Sequence, residues 1–169
     1  STGIVAHANT YGVYIGNGSR SLYIGDGTAS GRNIICSNNT GIYSDPSGTD
    51  SVYVLGNWIG IGADGVTSLT NNLYGIIFNA NSHHNMIGDG TNGGRNVISG
   101  NNSGSSRAML ISSRHNRVLG NYIGVLPDGA TLAFNNDGVW LEGDSNYVGD
   151  GTVGGRNIIS GNSNGIVIT

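Results

Sequence analysis

Lysine is missing from this chain of 169 residues, and Glu142 is its single glutamate. Seven arginines face ten acids, for a formal net charge of −3, and charged residues make up only 10% of the whole. That balance offers no field for nucleic acid or for insertion at an anionic membrane. It also leaves little protection against association, since globular surfaces usually carry far more charge. The lone cysteine, Cys36, excludes a disulfide framework, and no Cys/His spacing typical of a metal site occurs. Cys36 stands where similar stretches carry Ser99 and Ser160, so it reads as a small buried filler. No stretch reaches the ~18 apolar residues of a membrane span. Helices are excluded by the 31 glycines and the missing 3.6-residue period.

What the chain has is repetition. "IGDGTASGRNIICSN" from Ile24 returns as "IGDGTNGGRNVISGN" from Ile87 and "VGDGTVGGRNIISGN" from Val148, about 62 residues apart. A second phrase alternates with it: "VLGNWIGIGADGVTSLTNNLYGIIF" from Val54 and "VLGNYIGVLPDGATLAFNNDGVWLE" from Val118. The opening "STGIVAHANTYGVYI" matches the tail of that phrase. Residues 1–169 therefore read as one domain, a segment of a longer array or a subunit that stacks into a filament.

Each phrase holds three short Val/Ile-rich runs between Gly/Asn/Asp turns, which is the pattern of strands. Run A includes "GVYI", "GIYS", "GIIF", "AMLI", "GVWL" and "GIVI". Run B holds Ile24, Val54, Ile87, Val118 and Val148, and run C holds Ile35, Ile59, Ile98, Ile123 and Ile159. Three strands per turn, about five times over, predict an all-β fold. The expected form is a right-handed parallel β-helix with rungs ~4.8 Å apart and loops at alternating corners. A β-sandwich would pair its strands antiparallel and would not make every second loop identical. Alternation turns the B and C residues inward as two aliphatic ladders. Asn33, Asn57, Asn96, Asn121 and Asn157 each precede a C-ladder isoleucine by two positions, and predict an amide ladder at that corner.

"NRVLGNYIG" (Asn116 to Gly124) and "GRNVISGN" (Gly94 to Asn101) resemble the right-handed parallel β-helix repeats of large secreted bacterial surface proteins, within the broad pectate-lyase-like superfamily. The resemblance covers nearly the whole chain. It implies an extracellular or cell-surface location. For function it leaves a wide choice, since that superfamily holds lyases, hydrolases, epimerases, tailspikes, adhesins and passive stalks.

Three sets of residues are candidates for function. Asp26 and Arg32, Asp89 and Arg95, and Asp150 and Arg156 recur in the GDGT loops. They are read as loop closures, each Arg meeting its Asp or loop carbonyls. Calcium is the alternative there, but aspartates ~9.6 Å apart cannot share one ion, so no cofactor is expected. The corner between A and B gathers unrepeated polar residues. His84, His115, Arg114, Glu142 and Asp144 are the one constellation there suited to acid–base work on a sugar, with Trp140 as a nearby platform. Finally, Tyr14, Tyr43 and Trp140 on run A, Tyr23, Tyr53 and Tyr147 on run B, and Trp58 and Tyr122 on run C point outward. Continuous outward apolar stripes mark an interface or ligand platform. On that view Tyr122→Ser leaves the free monomer almost unchanged.

The leading expectation is a structural module of a stalk, adhesin or self-assembling filament, with itself as partner and without catalysis. The alternative is a carbohydrate-active or glycan-binding β-helix.

Overall fold

The structure is a computed structural model that describes residues 8–169. The opening residues 1–7, the first part of the phrase tail noted above, lie outside the described residues. Among the described residues all regular structure is strand, arranged in three parallel sheets. Sheet A stacks six strands: Tyr11–Ile15, Thr40–Ser44, Tyr74–Phe78, Arg107–Ile111, Asn135–Leu141 and Asn162–Ile168. Sheet B stacks Arg20–Ile24, Asp50–Val54, Met86–Ile87, Arg117–Val118 and Tyr147–Val148. Sheet C stacks Ile34–Ile35, Trp58–Ile59, Val97–Ile98, Tyr122–Ile123 and Ile158–Ile159. The chain visits A, B and C in turn, and each strand pairs with its counterpart one turn away. This is a parallel β-helix of about five turns.

Register delivers the aliphatic ladders. Ile35, Ile59, Ile98, Ile123 and Ile159 are successive in-register partners in sheet C. Ile24, Val54, Ile87, Val118 and Val148 are so in sheet B. Sheet A adds Ile42, Ile76, Met109 and Val139, and the three columns meet in one core. Each fully buried Ile or Val contributes roughly 1.5–3 kcal/mol. The terminal members Ile24, Val148 and Ile159 are only partly buried, because one side has no covering rung among the described residues.

The corners are as regular as the faces. At the B-to-C corner Asn33, Asn57, Asn96, Asn121 and Asn157 form a continuous chain, each amide donating to the next Oδ1 at 2.9–3.2 Å. A second ladder, not anticipated from the sequence, runs through Asn9, Asn38, Asn71, Asn101, Asn135 and Asn162 at the C-to-A corner. A third joins Asn85, Asn116 and Asn146 at the A-to-B corner. Where this third ladder ends, the backbone N–H of Val52 donates to Asn85 Oδ1 at 2.9 Å. The lower rungs fill the same corner with Leu22 and Val52, in-register partners. Buried polar groups in these turns are thus satisfied by repetition of one residue type.

The GDGT loops touch one another across the intervening rung. Gly56 and Gly120 donate backbone N–H groups to the Gly94 and Gly155 carbonyls of the loops above them. Gly93 lies against the Gly27 carbonyl, and Gly154 against that of Gly90, so closely that a side chain at either would collide with backbone.

Candidate functional site

The A-to-B edge brings several predicted residues together. His84 and His115 stack on successive rungs, with ring centroids 5.3 Å apart and planes 4° from parallel. His84 Nδ1 lies 3.0 Å from Asp50 Oδ1. The Arg114 backbone N–H points at His83 Nδ1 at 3.5 Å. Partial burial, then the neighbouring Arg114 and His84 charges, hold His83 below the ordinary histidine value. Its neutral form is favoured, with Nδ1 free to accept. His83, Arg114 and Asp144 line one shallow cavity with Ser112 and Ser113. Arg20, Asp50, His83 and His84 line a second beside it.

The backbone explains why these side chains project. Ser21, Ser51, His84, His115 and Ser145 all have φ between 53° and 60°. A non-glycine residue in this left-handed region is uncommon. Here the same strained turn recurs on five successive rungs. It lies two residues before the outward residue of each sheet B strand, inside the longer strands at Ser21 and Ser51, and leaves His84, His115 and Ser145 exposed. The sequence marks it only weakly: histidine is among the non-glycine residues enriched in this region, but the serines at the equivalent positions give no such signal.

One member of the predicted acid–base set, Glu142, and the neighbouring platform residue Trp140 are otherwise engaged. Glu142 accepts a hydrogen bond from Ser112 Oγ at 2.6 Å. Trp140 is not a free platform, because the Arg107 guanidinium sits 3.9 Å over its ring. Among the described residues Arg107 and Asp137 form an ion pair at 3.7 Å, and the 3.0 Å contact of His84 with Asp50 is a hydrogen bond that becomes an ion pair only when the ring is protonated. Asp144 instead presents its backbone carbonyl to the His115 N–H at 3.3 Å. Among the described residues each of the two cavities at this edge carries a single carboxylate, Asp144 in the first and Asp50 in the second.

The GDGT loops correct the expected Asp–Arg closure in part. Asp26, Asp89 and Asp150 each accept the backbone N–H and hydroxyl of the threonine two residues on, at 2.7–3.0 Å. These bonds, the hydroxyl first, hold the carboxyls of Asp26 and Asp150 below the ordinary range. Among the described residues neither Arg32 nor Arg95 forms an ion pair with the aspartate of its loop. Arg32 donates to the Gly56 carbonyl at 3.2 Å and Arg95 to the Gly120 carbonyl at 3.0 Å, each one rung on. Each guanidinium also lies 4.3 Å from a ring centroid, Arg32 over Trp58 and Arg95 over Tyr122. Such cation–π contacts contribute about 0.5–2 kcal/mol. Arg156 lies beside Asp150 in an open cavity at the last described rung. Among the described residues no three His, Cys, Asp or Glu side chains gather as a metal site would need.

The outward stripes differ from face to face. Sheet C is not a free surface. Two loops turn back over it through the isolated bridges Ile61–Ser68 and Val125–Leu132. Ile61, Val97, Leu126 and Ala133 form a second apolar cluster, with Trp58 and Tyr122 packed against it. The reason is length: the segments after Ile59 and Ile123 are too long for a corner and carry their own apolar residues. Ile77 and Leu110 on sheet A are also buried, between in-register Tyr43 and Trp140.

What remains open is tyrosine. Tyr11, Tyr14 and Tyr43 cluster on sheet A, with centroids 4.5–5.6 Å apart. The Tyr14 hydroxyl donates to Asp45 at 2.7 Å, which raises the phenol above its ordinary value. On sheet B Tyr23 and Tyr53 stack at 4.6 Å and 11°, and Tyr147 stands alone, 60% exposed. His115, Arg117 and Tyr147 line a further shallow cavity where this sheet meets the histidine edge.

No protein-family model matches the chain, and neither a curated protein nor a solved structure does. The fold therefore stands on its own geometry, a parallel β-solenoid, and the narrower likeness to secreted surface proteins stays with the motifs that suggested it.

Proposed function

We propose that this chain is a structural β-helix module of an extracellular stalk, adhesin or self-assembling filament, and that its partner is a further copy of itself. The observation that carries the reading is the coincidence of three asparagine ladders with three aliphatic columns. Residues that recur from one rung to the next serve the rung above and below, which makes a stiff rod. Exposed tyrosines on sheets A and B give such a rod apolar area for lateral contact. The secreted location follows the motif resemblance. Electron microscopy and sedimentation over a wide concentration range test the assembly. Rods or fibres that lengthen with concentration support it, and dispersed monomers at high concentration overturn it.

A second reading, glycan binding, draws on one observation. Tyr23, Tyr53, Arg117 and Tyr147 form a partly aromatic face beside the histidine edge. A glycan panel with reducing-end and unsaturated-sugar assays, repeated with a His115→Ala/Asp144→Asn variant, separates it from the first. No turnover and unchanged binding in the variant remove it.

A further inference from the structure

We propose that Tyr23 and Tyr53 form a modification site at which oxidative phenol coupling joins two successive rungs by a carbon–carbon bond. Their Cα atoms are in-register partners on adjacent strands of sheet B. Their rings are 4.6 Å apart and only 11° from parallel, with Tyr23 66% exposed and Tyr53 half-buried. Parallel strands hold such side chains at a fixed ~4.8 Å spacing. Two radicals formed there meet at a far higher effective concentration than radicals on separate molecules.

The chemistry needs an oxidant from outside the chain, a haem peroxidase with hydrogen peroxide. Each phenol loses its hydroxyl hydrogen, one electron and one proton, to the oxidant. The two phenoxyl radicals then couple between ring carbons adjacent to the hydroxyl. The hydrogen on each coupled carbon moves to oxygen as the ring regains aromaticity. The sum is two phenols and one peroxide giving one biaryl and two waters. The product keeps both hydroxyls and is two hydrogens lighter.

The chain contains its own controls. Tyr147 is equally open, at 60%, but its in-register neighbour is Arg117 and not a second phenol. Tyr14 and Tyr43 are also in register and stacked, but wider and less parallel, at 5.6 Å and 19°, with the Tyr14 hydroxyl tied to Asp45, and Tyr11 is tilted 31° from Tyr43. Coupling governed by geometry therefore selects Tyr23–Tyr53, whereas coupling governed by exposure alone spreads to Tyr147.

The test treats dilute folded protein with a haem peroxidase and limiting peroxide, isolates the monomer, and digests it after arginine. The expected product is a monomer two hydrogens lighter in which the peptide 21–32 is joined to the peptide 33–95. It carries the emission of coupled tyrosine and melts at a higher temperature than the untreated protein. Tyr23→Phe and Tyr53→Phe, each checked for an unchanged β-sheet spectrum, should both lose that joined peptide. Tyr147→Phe should keep it. Consumption of Tyr147 while the peptide 21–32 stays free overturns the proposal. So does a joined peptide that survives in Tyr53→Phe, or one that links 1–20 to 33–95 in its place.

Discussion

Asn57 and Asn96 are joined twice across one rung step: the backbone N–H and the side-chain amide of Asn57 both donate to Asn96 Oδ1, at 2.9 and 3.2 Å. Asn96 repeats the arrangement toward Asn121, and its amide also serves the Val54 carbonyl at 2.7 Å. Every one of these groups is buried. Asn96→Ala would strand the buried Asn57 N–H, at about 1–3 kcal/mol, and would remove the amide bonds to Asn121 and to the Val54 carbonyl, which keeps the Gly88 N–H, at about 0.5–1.5 kcal/mol each. Denaturant unfolding should show a loss of about 2–5 kcal/mol. Asn33→Ala, at the exposed start of the same ladder, should cost clearly less. Equal losses at the two positions would contradict the ladder as a source of stability.

Much of this was legible beforehand, and for a physical reason. The C-column isoleucines must recur once per turn, so spacing alone reveals them, and the Asn33 ladder travels with them at a fixed offset of two. Asn38, Asn71, Asn101 and Asn135 recur with the same periodicity, yet they fall among neighbouring asparagines that hide which one turns inward. The Arg32–Trp58 and Arg95–Tyr122 contacts were hidden differently. Each arginine sits in one phrase and its ring in the next, so the pair becomes visible only when the rungs are stacked. The edge histidines were legible as a column but not as a left-handed one, since the modest preference of histidine for that region is not shared by Ser21, Ser51 and Ser145 at the equivalent positions.

Acid should weaken the fold in two stages. His83 titrates below its ordinary value in the folded chain because burial and the Arg114 and His84 charges disfavour its protonation. The unfolded chain therefore takes up that proton first, and stability falls as pH drops from the ordinary histidine value through the folded one. Asp26, Asp64, Asp128 and Asp150 are held below the ordinary 3.8, chiefly by the hydroxyls of Thr28, Thr67, Thr131 and Thr152. Their stabilisation is full above that value and is lost as pH falls through the lower folded values. All four are solvent-exposed, so each step is small. Melting temperature against pH should show both stages, with His83→Gln removing the upper one. A flat profile down through the carboxylate range would contradict the loop bonding.

Gly93 and Ser30 occupy the same place in two copies of one loop and should respond oppositely to exchange. Gly93 abuts the Gly27 carbonyl of the loop below, and Gly154 abuts that of Gly90. Ser30 is exposed. Gly93→Ser should therefore force the stacked loops apart and cost about 1–3 kcal/mol, as overpacking does. Ser30→Gly should change stability by less than about 1 kcal/mol, through chain entropy alone. Denaturant midpoints for both variants check this, and a tolerated Gly93→Ser would show that the loops do not bear on each other.

Tyr122 separates an outward side chain from an exposed one. It points away from the core, where the stripe pattern alone predicts that Tyr122→Ser is harmless. In the folded chain it is half-buried, with Arg95 4.3 Å from its ring centroid on one rung and the Gly129 turn of the covering loop against its edge. It also packs on the cluster of Ile61, Val97, Leu126 and Ala133. Removing the ring would forfeit apolar burial and the cation–π contact, and would leave the covering loop without support. A loss of about 2–4 kcal/mol is expected, within the range for truncating a packed aromatic. Tyr147→Ser, on the uncovered sheet B face, should cost less than about 0.5 kcal/mol. The two variants together also test the assembly reading: a Tyr147→Ser chain that folds normally but no longer associates places the contact on sheet B. A Tyr122→Ser chain as stable as its parent would mean that the loop after Ile123 does not cover sheet C in solution.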